Sequence, residues 1–113
     1  MNDTASSSGA TPFPAVGHRY LVNFTAFRVE LHFSSATSLT YTGIRSDGSR
    51  GGSETVTIHV EPIADMIYLV TWQESDKTTV VHVEDYSKKT IVTNITDSDL
   101  TFSRYRGTFT QLS

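Results

Sequence analysis

Cysteine is absent from this chain of 113 residues. Without a thiol the protein can form no disulfide framework, no cysteine-ligated metal centre and no thiolate nucleophile. Long apolar runs are absent as well, and residues 1–16 have neither a basic start nor an apolar stretch, which argues against a secretory signal and a membrane anchor. We therefore predict a cytoplasmic protein with a disordered leader over residues 1–16 and one domain over residues 17–113.

An excess of basic residues is also lacking. Nine Lys and Arg residues stand against 12 Asp and Glu residues, which gives a formal net charge of −3, and the cations are scattered along the chain. A protein that binds a phosphate backbone needs a basic stripe, so we predict no nucleic-acid partner and no membrane partner. We also predict no cofactor, because Gly48, Gly51 and Gly52 lack the following helix and the lysine of a phosphate-binding loop.

Helical periodicity is missing, whereas apolar residues alternate with polar ones in segments rich in Val, Ile, Thr, Phe and Tyr. This pattern predicts strands at residues 18–24, 27–33, 38–44, 54–60, 66–73, 78–84, 90–95 and 100–112. The short polar turns between them make consecutive strands antiparallel. We predict an all-β domain, a single antiparallel up-and-down β-barrel of about eight strands. A β-sandwich is the alternative, but consecutive hairpins need no long crossover and closure removes exposed edges.

Three interruptions divide these segments. Residues 45–53 (RSDGSRGGS) predict the longest loop, a flexible lid at the rim of the barrel, in which Arg45 and Arg50 can meet an anionic ligand. Residues 61–65 predict a turn, because a proline lacks the N–H group that a strand ladder needs. Gly107 predicts a bulge or bend in the last strand.

The segment at residues 66–73 has the most informative face. Tyr68, Val70 and Trp72 point to one side, and Glu74 follows on that side where the strand ends. If this side faces the interior, Trp72 offers a flat surface to a ligand, and partial burial raises the pKa of Glu74 so that it can act as an acid or base. The alternative is a core tyrosine and tryptophan with a solvated glutamate.

Other patterns point less clearly to chemistry. The four histidines, His18, His32, His59 and His82, show none of the short spacings of zinc motifs, so we predict no metal site; one assembled across neighbouring strands is the alternative. No Gly-x-Ser-x-Gly elbow is present, and no serine has a histidine and an aspartate at a defined spacing.

Residues 66–85 (MIYLVTWQESDKTTVVHVED) carry a family resemblance. A strand that ends in a Trp-x-Glu step, followed by a Val-rich strand with a closing aspartate, resembles the MoaF-like branch of the calycin (lipocalin-like) superfamily. Residues 100–112, with Gly107, Thr108 and Phe109, are similar to the last strand of that family. The resemblance implies a lipocalin-like barrel over about residues 18–112, and no defined molecular function.

The same segment is similar, more distantly, to the phenolic acid decarboxylases. That resemblance implies a cavity glutamate at Glu74 and an arginine near Arg50 after a shift in the loop. The pair of tyrosines that the decarboxylases carry on their first strand is not reproduced, since only Tyr20 is found there. What the resemblance implies is therefore an acid–base role for Glu74 on another substrate.

Our leading hypothesis is a barrel that binds a small, partly apolar ligand, anionic or aromatic, in its central cavity. We expect Tyr41, Tyr68, Trp72 and Glu74 to line the cavity, and Arg45 and Arg50 to contact the ligand.

Two other hypotheses belong to different classes of protein. One is a cofactor-free lyase, isomerase or cyclase of a small organic acid or polyketide-like compound, in which Glu74 transfers a proton and Arg28 or His82 holds the anion. The other is an interaction module, for example a homodimer, that pairs through Ile67 and Leu69 on the second face of strand 66–73.

Overall fold

The computed structural model describes residues 12–113 and contains only strands and turns there. The strands are β1 Arg19–Asn23, β2 Arg28–Ser35, β3 Ser38–Ile44, β4 Arg50–Thr57, β5 His59–Ala64, β6 Ile67–Gln73, β7 Thr79–Asp85, β8 Thr90–Thr96 and β9 Phe102–Gln111. The prediction of an all-β domain is confirmed. Within this range no helix is long and apolar enough to cross a membrane.

All nine strands form one antiparallel sheet in the order β4-β3-β2-β1-β9-β8-β7-β6-β5. The chain therefore forms two meanders, β1 to β4 and β5 to β9, which a ladder between β1 and β9 joins. The sheet curls strongly, since the ring of Tyr41 on β3 stacks on the ring of Trp72 on β6, with centroids 6.1 Å apart, although six strand positions separate β3 from β6. The predicted up-and-down, lipocalin-like architecture is confirmed.

The prediction was wrong between residues 45 and 64. The expected loop at residues 45–53 is a turn of residues 45–49, because β4 begins at Arg50. The glycines of β4 have low strand propensity, and the backbone hydrogen bonds to β3 hold them in the sheet. The expected turn around Pro62 is part of β5, which lies at the edge of the sheet, where a missing N–H group is tolerated. These two strands raise the strand number from about eight to nine.

The interior holds the side chains of one face of each central strand. On β6 the buried residues are Tyr68, Val70 and Trp72, in the alternation of a sheet with one face inward. On β7 the same parity buries two polar side chains, His82 and Glu84.

One end of the barrel is filled by aromatic rings and is called the closed end below. Its six rings contact one another edge to face or tilted, and belong to Phe13, Tyr20, Phe33, Tyr68, Tyr86 and Phe109. Phe13 and Ala15 are buried there, although they lie in the stretch that the sequence analysis assigned to the leader. The described domain therefore includes Phe13. Residues 1–11 of the predicted leader lie outside the described residues.

The structure has no bulge at Gly107, which was one of the two predicted features there. The ladder between β9 and β8 continues through this residue without a register shift. A Cβ atom at Gly107 would lie 2.4 Å from the carbonyl oxygen of Asn23 and 2.8 Å from Cδ1 of Phe24. Glycine is needed at this position because the chain leaving β1 passes directly over it.

We predict that Gly107→Ala lowers the free energy of unfolding by about 1–3 kcal/mol, because the added methyl group forces backbone and a core ring apart. Chemical denaturation measures the loss. Gly52→Ala is the matched control, since a Cβ atom there meets no atom within 4 Å. Equal stabilities of the two variants would contradict the close approach at Gly107.

Candidate functional site

A cavity of about 130 Å³ lies inside the barrel beyond the aromatic rings. It lies toward the turns at residues 24–27 and 74–78, which define the open end of the barrel. The first meander contributes Phe24, Phe27, Val29, Leu31 and Tyr41 to its lining. The second meander contributes Trp72, Glu74, Val80, His82, Thr93 and Ile95. The walls are thus mainly apolar, with a few polar groups at defined places.

Glu74 lies at the mouth of this cavity, where β6 ends and the turn to β7 begins. The indole nitrogen of Trp72 donates a hydrogen bond of 3.1 Å to Oε2 of Glu74. Burial raises the pKa of the Glu74 carboxyl, and the hydrogen bond from Trp72 opposes this effect. A carboxyl group in this setting is suited to proton transfer.

A second carboxylate, Glu54 on β4, spans the gap between β4 and the turn after β6. Its Oε1 accepts a hydrogen bond of 2.8 Å from the hydroxyl of Tyr41, and its Oε2 accepts one of 2.9 Å from the backbone N–H of Ser75. These bonds lower the pKa of Glu54, and burial together with the bond to Glu54 raises the pKa of Tyr41. Glu54 therefore ties the two meanders together by its side chain.

His82 lies on the floor of the cavity and begins a hydrogen-bonded chain that runs through Glu84 to Tyr86. His82 Nδ1 lies 2.8 Å from Oε2 of Glu84, and the hydroxyl of Tyr86 donates a bond of 2.6 Å to Oε1 of Glu84. Burial, with the charge of Glu84 as the next cause, raises the pKa of Tyr86, so this phenol stays a neutral donor. The imidazole of His82 meets the indole of Trp72 edge to face, with ring centroids 4.7 Å apart.

Thr93 on β8 lies directly opposite His82 in the ladder between β7 and β8. It is 1% exposed and lines the cavity. Its Oγ1 has no hydrogen-bond partner among residues 12–113. A buried hydroxyl without a partner loses its hydration without compensation, so this group can accept or donate a bond to a molecule in the cavity.

The structure does not bring the three predicted arginines to the cavity. Arg50 makes two bonds of 2.6 and 3.0 Å to the carboxylate of Glu30, on the outward face of the sheet, and this pairing lowers the pKa of Glu30. Arg28 donates a bond of 2.9 Å to the backbone oxygen of Arg45. Tyr68, another predicted ligand contact, lies among the rings of the closed end.

Tyr41, Trp72, Glu74 and His82, all predicted as site residues, come together in this cavity. A family model described as MoaF-like matches residues 16–110. The chain belongs to the MoaF-like family. No curated protein matches the sequence.

The crystal structure of a protein from Burkholderia vietnamiensis, provisionally described as a beta-lactamase, is similar to this MoaF-like protein with a TM-score of 0.82. The two share 24% sequence identity, over 91% of this chain and 100% of the other. At this identity the likeness concerns the fold alone.

Four polar residues of this MoaF-like protein were missed by sequence reasoning: Glu54, Glu84, Tyr86 and Thr93. A signal existed for part of the set, because His82, Glu84 and Tyr86 have the same parity along the strand as the apolar Val80. Polar residues at inward positions of a strand indicate a buried network. Within residues 12–113, no group of three or more metal-ligating side chains comes together.

We predict that Glu74→Gln becomes more stable relative to the wild type as the pH rises. The folded state binds the Glu74 proton more tightly than the unfolded chain, so ionisation above the ordinary pKa of 4.5 lowers the stability of the wild type. Urea unfolding at about pH 4 and about pH 7 measures the difference.

Glu54→Gln is the control, because its stability relative to the wild type should change with pH in the opposite direction. The pKa of Glu54 is lowered in the folded protein, so its ionised form contributes stability that is lost as the pH falls. This variant should become less stable relative to the wild type as the pH rises. The same trend for both variants would contradict the environments described for these carboxyl groups.

Proposed function

We propose that this MoaF-like protein binds a small, partly apolar molecule in the cavity at the open end of its barrel. The observation that carries the proposal is the composition of the cavity wall, in which apolar side chains surround the polar groups of Glu74, His82 and Thr93. Small-molecule sites typically combine a predominantly apolar lining with a few polar groups that fix the orientation of the ligand.

The size of the cavity limits the part of the ligand that can enter. An apolar cavity of about 150 Å³ takes up one benzene molecule, and this cavity measures about 130 Å³. One small ring or a short branched chain therefore fits between Trp72 and Ile95. A larger ligand has to extend through the open end, past Glu74.

The first experiment is native mass spectrometry of the protein purified from its own host. We predict a bound small molecule that is lost in Ile95→Phe, because the larger side chain fills the cavity. The matched control is Ile67→Phe, since Ile67 is half-buried but lies on β6 outside the cavity lining. Retention of the molecule by Ile95→Phe, with both variants folded by circular dichroism, would place its binding site elsewhere.

A second function, acid–base catalysis without a cofactor, is supported by the raised pKa of Glu74 at the mouth of the same cavity. A carboxylate with a raised pKa takes a proton from a carbon or oxygen acid more readily than a solvated carboxylate. A lyase, isomerase or cyclase needs such a step. Trp72 holds one oxygen of the carboxylate by its indole N–H, which fixes the position of the base.

Glu74→Gln tests this second function. The compound released from the native complex is incubated with wild type and variant, and conversion is followed by mass spectrometry. We predict a loss of turnover of at least about 100-fold, because a positioned acid or base typically contributes 10²–10⁴-fold, with binding of the compound retained. Unchanged turnover in the variant would exclude Glu74 as the acid or base.

A further inference from the structure

Two polar groups lie side by side on the floor of the cavity. His82 on β7 and Thr93 on β8 are direct cross-strand partners, both facing inward, and they are 3% and 1% exposed. Side chains in such a pair have Cβ atoms about 5 Å apart. Among the described residues, neither Oγ1 of Thr93 nor Nε2 of His82 has a hydrogen-bond partner, whereas Nδ1 of His82 is occupied by Glu84.

The position of the protons follows from the burial of Glu84. Its carboxyl group is 1% exposed and contacts only the hydroxyl of Tyr86 and Nδ1 of His82 as hydrogen-bond partners within residues 12–113. A net charge in an apolar interior is costly, and on this ground we assign the pair of Glu84 and His82 a form without net charge. Two such forms exist: a carboxylate with an imidazolium, and a carboxylic acid with a neutral imidazole.

Both forms leave a hydrogen on Nε2 of His82. An imidazolium carries hydrogens on both ring nitrogens. In the other form the carboxylic acid donates to Nδ1, so the single ring hydrogen of the neutral imidazole has to be on Nε2. In either form His82 therefore presents an N–H donor to the cavity, next to the hydroxyl of Thr93, which can also donate.

We infer that the paired donors of His82 and Thr93 bind the oxygen of a neutral carbonyl compound, which enters the cavity oxygen first. This inference rests on the proposed function, since it assigns a ligand class to the same cavity. A carbonyl oxygen has two lone pairs and can accept both bonds, while its carbon substituents contact the apolar wall.

Charge favours a neutral ligand over a carboxylate. Three acidic groups lie at or next to the cavity: Glu74, Glu54 and Glu84. No arginine or lysine belongs to the described lining, and Arg50 is bonded to Glu30 on the outward face. A second negative charge would therefore enter a site without a cationic side chain beyond His82.

Three probes of equal shape separate these possibilities: isopropyl methyl ketone, isobutyrate, and the alkene in which a methylene group replaces the ketone oxygen. Trp72 is the only tryptophan of the chain and lies in the cavity wall, so its indole N–H signal in an NMR titration reports each dissociation constant. We expect Thr93→Val to weaken binding of the ketone about fivefold, which corresponds to the loss of one hydrogen bond. Binding of the alkene should be unchanged or tighter.

Thr42→Val is the matched control, because Thr42 is equally a buried threonine but lies on β3 outside the cavity lining. Equal effects of Thr93→Val on ketone and alkene, or binding of the alkene alone, would overturn the inference and leave binding in the cavity intact. Failure of all three probes to bind would overturn the proposed function together with the inference. Tighter binding of isobutyrate than of the ketone would overturn the assignment of a neutral ligand.

A second measurement needs no ligand and no variant. The ¹⁵N chemical shifts of the His82 ring report which nitrogen carries hydrogen. We expect Nε2 to be protonated in the ligand-free protein at neutral pH. A deprotonated Nε2 would overturn the inference, because the floor would then present an acceptor.

Discussion

The ladder between β1 and β9 holds the two meanders in one sheet. It pairs Asn23 with Thr108 at one end and Tyr20 with Gln111 at the other. The cavity takes one wall from each meander, so the separation of its walls depends on this ladder and on the packing inside. Gly107 lies at the point where the ladder ends and the chain from β1 crosses β9, so the close approach at this residue belongs to the same constraint.

The opposite side of the barrel is held in another way. β4 lies near β6, but the described residues show no ladder between β4 and the second meander. Glu54, which Tyr41 of the same meander holds by a hydrogen bond, bridges the gap by its bond to the backbone N–H of Ser75. Opening this side breaks a hydrogen bond made by a side chain, whereas opening the other side breaks a backbone ladder. The side of the barrel where Tyr41 meets Trp72 is therefore the side that can open for a ligand at lower cost.

The parts that could be predicted from the sequence are those set by local alternation. The inward face of β6 follows from the apolar residues at every second position, and Trp72 and Glu74 follow with it. The first half of β4, residues 50–53, was missed because its Gly-rich sequence has low strand propensity and is held by pairing with β3. Phe13 was missed because an isolated apolar residue gives no periodic signal, and its burial depends on rings from distant strands. The partnership of Arg50 with Glu30 likewise depends on strand neighbours that no local pattern reveals.

Three glutamates show how the barrel assigns different states to one side-chain type. Glu54 accepts bonds at the gap and its pKa is lowered, while burial raises the pKa of Glu74 at the mouth. Glu84 lies deepest, where one of its oxygens contacts Nδ1 of His82 and the other accepts a bond from Tyr86. Groups whose environments separate their protonation states can take different parts in one site. In the binding mode that we propose, a ligand meets a carboxyl group suited to proton transfer at the entrance and the donor pair of His82 and Thr93 at the floor, and this polarity orders it oxygen first.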